Sequence, residues 1–239
     1  MQEENEARIQ LEVCVEDAQG AEIAMKAGAT RIELSEQLGV GGITPSLERL
    51  SDILNMAEVP VIALIRCRPG HFVYTMAERK EMLRQCEAFL ERGVHGIAVG
   101  AIGPRSSDAW EDLDWDFLES IAGRFSGREL VVHRAFDVVT DPIAAAIRLS
   151  STGYTRILTS GGPDKASEGL ATLHALQSLC LIEILPAGGI GSHNAEMILK
   201  ATGCTQLHGS FRSPSSLSNP ISPPDPSEIA NVLQCLHRI

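Results

Sequence analysis

Glu12 and Cys14 sit two residues apart in Leu11-Glu-Val-Cys-Val15, and Glu33 and Ser35 repeat that spacing after Ile32. In an extended strand, residues two apart face the same side. If Leu11, Val13 and Val15 face one way, and Ile32 and Leu34 do likewise, then Glu12, Cys14, Glu33 and Ser35 face the other. Arg66, His133 and His208 each close a short apolar run and so fall at strand ends, with Arg68 two residues beyond Arg66. Two carboxylates, an arginine and two histidines meeting at one place can act as acid and base, bind an anion, or hold a metal. They can equally be scaffolding, because inward charges often pair only with one another. Arg134 reads as a surface or helix-contact residue.

Cys14 is the thiol best placed for a soft ion, since copper(I) prefers thiolate; the competing reading is a small buried hydrophobe. Cys86 and Cys235 fall in helical patterns as packing residues, and Cys67 alternates away from Arg66 and Arg68. Two glycine turns add a second signal: Ser160, Gly161 and Gly162 follow one apolar run, and Gly188 and Gly189 follow another. Backbone N–H groups bared by glycine can bind an anion such as phosphate at a helix start, although a tight turn also calls for glycine. Lys26, Lys80, Lys165 and Lys200 fall on helices or a loop, which leaves no strand amine for Schiff-base chemistry.

A weak repeat orders the elements that must position these groups. Gly28-Ala-Thr-Arg-Ile32, Gly153-Tyr-Thr-Arg-Ile157 and Gly203-Cys-Thr-Gln-Leu207 share a form, and Gly93-Val-His-Gly-Ile97 is a looser copy. Glycine suits the left-handed position that ends a helix, and the β-branched residues then open a strand. Serial helix–glycine–strand joints imply βαβ connections. Strands are expected at residues 9–15, 31–34, 61–65, 96–99, 130–133, 156–159, 183–187 and 206–208, with amphipathic helices such as 77–92 and 193–201 between them. Asp17, Ser46, Asp141 and Ser192 are expected N-caps, with Pro142 at a first helical position. Eight such units make an α/β fold, a single (β/α)8 TIM barrel over residues 1–239, with its site at the C-terminal ends of the strands. A polar N-terminal arm (1–8) precedes it, and a Pro/Ser-rich loop (213–227) leads to a last helix, 228–236. An open doubly wound sheet would announce a G-x-G-x-x-G turn after the first strand, and residues 13–20 contain none.

Composition narrows the partners. The 239 residues are 44% hydrophobic, enough for a substantial core, and carry 20 basic against 31 acidic residues, a net charge of -11. Without a basic stripe, nucleic acid is not an expected partner. No apolar run suits a membrane span, and the polar, acidic N-terminus offers no export segment. Scattered cysteines then read as reduced thiols, and the expected compartment is the cytoplasm.

Leu11-Glu-Val-Cys-Val15, Gly28 to Leu34 running into Gly41-Gly-Ile-Thr-Pro-Ser46, His133-Arg-Ala-Phe-Asp137, Leu158-Thr-Ser-Gly161 and Pro186-Ala-Gly-Gly-Ile190 resemble, in order and spacing, motifs of the CutC copper homeostasis family. The likeness runs from about Leu11 to Ser210. It implies a cytoplasmic, oligomeric TIM barrel linked to copper tolerance, with copper(I) held through cysteines and Cys14 as the candidate ligand. Three departures bear on that site. Ser35 stands where relatives often have cysteine, and Gly209 where some do. Arg66-Cys-Arg-Pro-Gly-His-Phe72 replaces R-P-R-G-G-D-F, and the polar arm after strand eight is shortened. The copper site is therefore expected to be reduced, with Cys67, His71 or His208 as partners for Cys14. The alternative is an isomerase- or lyase-type barrel enzyme, acting on a small anionic, even phosphorylated, metabolite through Glu12, Glu33, Arg66, His133 and His208.

Overall fold

The structure is a computed structural model that describes residues 9–103, 112–213 and 222–236. The arm 1–8 and most of the Pro/Ser-rich loop lie outside the described residues. Eight strands are found among them: β1 (Gln10–Val15), β2 (Arg31–Leu34), β3 (Val61–Ile65), β4 (Gly96–Val99), β5 (Glu129–Val132), β6 (Arg156–Thr159), β7 (Glu183–Pro186) and β8 (Gln206–Gly209). Helices α1 (Ala18–Lys26), α2 (Leu47–Leu54), α3 (Met76–Glu91), α4 (Trp115–Arg124), α5 (Pro142–Thr152), α6 (Leu170–Ser178), α7 (Ala195–Thr202) and α8 (Pro226–Leu236) follow them in turn. Every paired strand is parallel, in the order β7-β6-β5-β4-β3-β2-β1-β8. The ends of that order, β7 and β8, lie side by side without a ladder among the described residues, so the (β/α)8 TIM barrel is nearly closed.

The joints follow local chemistry. Gly28, Gly153 and Gly203 take φ of +105°, +100° and +75°, the left-handed turn that stops each helix before a strand. Asp17, Ser46 and Asp141 accept the backbone N–H groups of Gly20, Arg49 and Ala144, as N-caps should. Ser192 is not a cap. Helix α7 begins at Ala195 after Asn194, and the N–H and hydroxyl of Ser192 both donate to the carboxylate of Glu228 on α8, at 2.7 and 2.9 Å. The lysines lie on α1, α3, α7 and a loop.

Period-two alternation sorts two cores. Leu11, Val13, Val15, Ile32 and Leu34 point outward and join the large layer between strands and helices. Inside the barrel, Ile62, Leu64, Ala98, Val131, Leu158, Leu185 and Ala187 form a separate apolar cluster, all from β3 to β7 and the residue after it. The sector made by β8, β1 and β2 is filled instead by Gln206, His208, Glu12, Cys14, Arg31 and Glu33, all buried. Full burial of one such aliphatic side chain is worth about 1.5–3 kcal/mol. A polar sector forgoes that gain.

Candidate metal centre at the barrel mouth

Neighbouring-strand register brings the polar sector together. Glu12 pairs with His208 across β1–β8, and Cys14 pairs with Glu33 across β1–β2. The imidazole Nδ1–H of His208 donates to Glu12 Oε1 at 2.7 Å, and its Nε2 lies 3.9 Å from Glu33 Oε2. One ligand atom each from Cys14, Glu33 and His208 can be chosen so that all lie within 4.8 Å of one another. For comparison, zinc takes thiolate at about 2.3 Å and imidazole at about 2.0 Å, so a span of this size closes on one ion with small movements. Donating Nδ1–H to Glu12 leaves Nε2 as the ligating atom, the arrangement in which a carboxylate fixes the tautomer of a metal-bound histidine.

Glu12 is itself held by Arg31, whose Nε donates to its carboxylate while the two terminal nitrogens reach Gln10 and Gln206, at 3.0 and 2.8 Å. Burial pushes Glu12 up, but the His208 hydrogen bond and the Arg31 charge outweigh it and hold the carboxyl at about 2. Burial pushes Glu33 up to about 7, since the pull of His208 is offset by the Glu12 charge. Burial would lower His208, yet Glu33, Cys14 and the Glu12 hydrogen bond raise it well above its ordinary value. Of the two carboxyls, Glu12 carries the charge and Glu33 is the first to protonate.

Arg66 and His133 stand apart from this cluster, over β3 and β5. Arg66 gives its NH1 to the carbonyls of Val40, Gly41 and Gly42 and its NH2 to that of Gly70. His133 lies just past β5, at the head of a short 3-10 turn, and its Nδ1 accepts the N–H of Ala135 at 3.1 Å. Cys67 is half-buried near Glu78 and Arg68, and His71 is exposed beside Arg68; neither joins Cys14. Ser35 is buried at the mouth, its hydroxyl without a hydrogen-bond partner among the described residues.

The first glycine turn carries a carboxylate of the chain itself. Asp137 accepts the Thr159 hydroxyl, the Ser160 N–H and the Ser160 hydroxyl at 2.5–2.9 Å, and Gly161 N–H donates to Thr159. Arg134 joins them, through Asp137 and Ser160. Beyond Gly188 and Gly189, Glu228 takes the Ser192 donors. The exposed Gly162 and Gly189 leave the turn surfaces open to solvent.

Sequence reasoning missed Arg31, read only as the start of a strand. Its position two residues before Glu33 was the available signal, since period two sends both inward. Asp137 and Glu228 reach their turns from 23 and 36 residues away, which no local pattern reveals.

No helix among the described residues is long and apolar enough to cross a membrane. The sequence profile of the CutC family matches residues 9–213. A CutC family protein of Rhizobium meliloti is 41% identical over 209 residues, covering 87% of this chain and 83% of its own length. The human copper homeostasis protein cutC homolog is 36% identical over 205 residues, 85% of this chain and 73% of that one. The crystal structure of CutC from Streptococcus agalactiae superimposes with a TM-score of 0.76 at 30% identity, covering 84% of this chain and 98% of that one. At 15% identity, N-(5'-phosphoribosyl)anthranilate isomerase from Pyrococcus furiosus shares the barrel alone, with a TM-score of 0.61 over 97% of this chain and 100% of the other. With its profile, its relatives and its barrel in agreement, the chain belongs to the CutC family.

Proposed function

We propose that this chain serves copper homeostasis by holding copper(I) at the barrel mouth between Cys14 and His208, with Glu33 as a weaker third contact. The observation that carries this reading is the approach of one thiol, one imidazole and one carboxyl within 4.8 Å, backed by Glu12 on His208. Thiolate and imidazole both suit copper, whereas a carboxylate is too hard to contribute much to so soft an ion. Binding displaces the Cys14 proton and the Nε2 proton of His208, so affinity falls as pH falls. The six free cysteines fit a reducing compartment, and the cytoplasm is the compartment this reading expects. Self-association belongs to the same reading, and light scattering tests it against the 25.7 kDa chain mass.

Competition titration against a copper(I) chelator under reducing conditions tests the site. Cys14→Ala is expected to weaken binding. Ser35→Cys adds a second soft ligand on the neighbouring strand, two residues beyond the Glu33 that pairs with Cys14, and is expected to tighten it. If Cys14→Ala holds copper(I) as firmly as the parent, the thiol is packing and the reading fails.

A further inference from the structure

Arg66 and His133 are the buried polar groups of the mouth that the metal reading leaves unused. The register Ile65–Val99–Val132 continues upward to Arg66, Gly100 and His133, which share one layer across β3, β4 and β5. Gly100 brings no side chain to that layer, and a Cβ there would lie 2.7 Å from His133 Nδ1. The imidazole therefore occupies the space over Gly100. Phe72 bridges the pair, its ring 5.2 Å from that of His133 and 4.9 Å from the guanidinium carbon of Arg66.

Each of the two keeps one donor unspent. Because Nδ1 of His133 accepts from Ala135, the neutral ring carries its proton on Nε2, and Nε2 has no partner among the described residues. Burial and then the Arg66 charge push His133 down to about 3, so the ring stays neutral. Nε of Arg66 likewise has no partner among the described residues. Its hydrogen bonds go to neutral carbonyls, the buried Tyr74 hydroxyl lies close to it, and no carboxylate pairs with it among the described residues, although only 7% of the residue is exposed. The other buried arginines differ: Arg31 pairs with Glu12, and Arg156 pairs with Glu129 and Glu183. A cation removed from water without a counter-charge is costly until something supplies one.

We propose that Arg66 Nε–H and His133 Nε2–H together bind the carboxylate of a small organic monoanion, whose carbon end rests against Phe72. One guanidinium beside a neutral imidazole matches a single negative charge. A phosphate group brings about -1.5 to -2 at pH 7 and three acceptor oxygens, more than two donors and one charge satisfy. At the first glycine turn Asp137 already takes the Ser160 N–H, and beyond the second Glu228 takes the Ser192 N–H.

The full chain, stripped of metal by a chelator so that the copper reading is kept separate, is titrated with pyruvate, acetate, inorganic phosphate and chloride at one ionic strength. Calorimetry reads affinity, and nitrogen-detected NMR reads the His133 Nε2–H signal in the unmodified protein. The expected result is saturable monocarboxylate binding, at least about tenfold tighter than phosphate, that moves the Nε2–H signal. His133→Phe keeps a ring beside Phe72 but lacks the donor, and is expected to weaken binding about tenfold or more, the loss of a hydrogen bond to a charged group. Phosphate binding as tightly as the carboxylates would overturn the proposal, and so would saturation without movement of the Nε2–H signal. The absence of saturable carboxylate binding, or unchanged affinity in a folded His133→Phe, would overturn it equally. If that variant does not fold, the NMR titration of the unmodified protein decides alone.

Discussion

The two ends of the barrel interior treat the same side chain in opposite ways. At the N-terminal end, Arg31 opens β2 and Arg156 opens β6; the first is enclosed by Glu12, Gln10 and Gln206, the second by Glu129 and Glu183. At the C-terminal end, Arg66 has carbonyls and the Tyr74 hydroxyl for company, and among the described residues Arg66 and His133 each keep a spare donor and Ser35 a spare hydroxyl. In a barrel of this kind, the N-terminal face serves stability and the C-terminal face serves chemistry. Satisfied charge at one end and unsatisfied donors at the other give that division a cause: the mouth retains interactions that a ligand can complete.

The largest break in this contrast should come from the satisfied end. Arg31→Met leaves buried Glu12 with His208 as its one remaining ion-pair partner among the described residues, and breaking such a buried pair costs about 3–5 kcal/mol. Arg66→Met strands no carboxylate among the described residues and should cost clearly less, on the order of 1–3 kcal/mol for its lost hydrogen bonds. Urea unfolding of both variants measures the difference; equal losses would mean that the two arginines play the same part.

Glu12→Gln tests how the satisfied end supports the mouth. It keeps the shape but weakens the hold on His208, and copper(I) affinity of the folded variant should drop about 10–100-fold, as for other partners of metal-bound histidines. The chelator titration reads this directly, and an unchanged affinity would remove Glu12 from the metal site.

The effect of His133 is absent at neutral pH and appears only as pH falls. Its folded value, about 3, lies below the ordinary 6.5, so the unfolded chain takes up the proton first as pH falls. Stability from this group is complete above about 6.5 and is lost downward toward 3, at about 1.4 kcal/mol per pH unit. His133→Phe should lack that slope. Comparing the pH dependence of unfolding in the two proteins isolates it, and parallel curves would show that His133 is not held neutral.

The strands were legible as short Val/Ile/Leu-rich runs, and the glycines Gly28, Gly93, Gly153 and Gly203 mark where a helix ends before one. Alternation then placed Glu12, Cys14, Glu33 and His208 inside. What stayed hidden was pairing across the barrel. Nothing local says that Glu12 is shared between Arg31 and His208, because those partners lie 19 and 196 residues away. The helix start at Ala195 was misread for a related reason: Ser192 has a cap-like sequence, but its N–H and hydroxyl are turned to Glu228 on α8, and the helix begins only after Asn194. Local propensity proposes such contacts, and tertiary competition chooses among them.

The unladdered edge between β7 and β8 has a dynamic consequence. A ring of strands with one unladdered seam is expected to open there first, with amide hydrogens along it exchanging through local opening rather than global unfolding. His208 sits on β8, one side of that seam, and is tied through Glu12 to β1. An ion gripping His208 and Cys14 would pin β8 to the rest of the ring. Loading the mouth would then slow deuterium uptake along β8, turning a gap in the sheet into a gauge of occupancy.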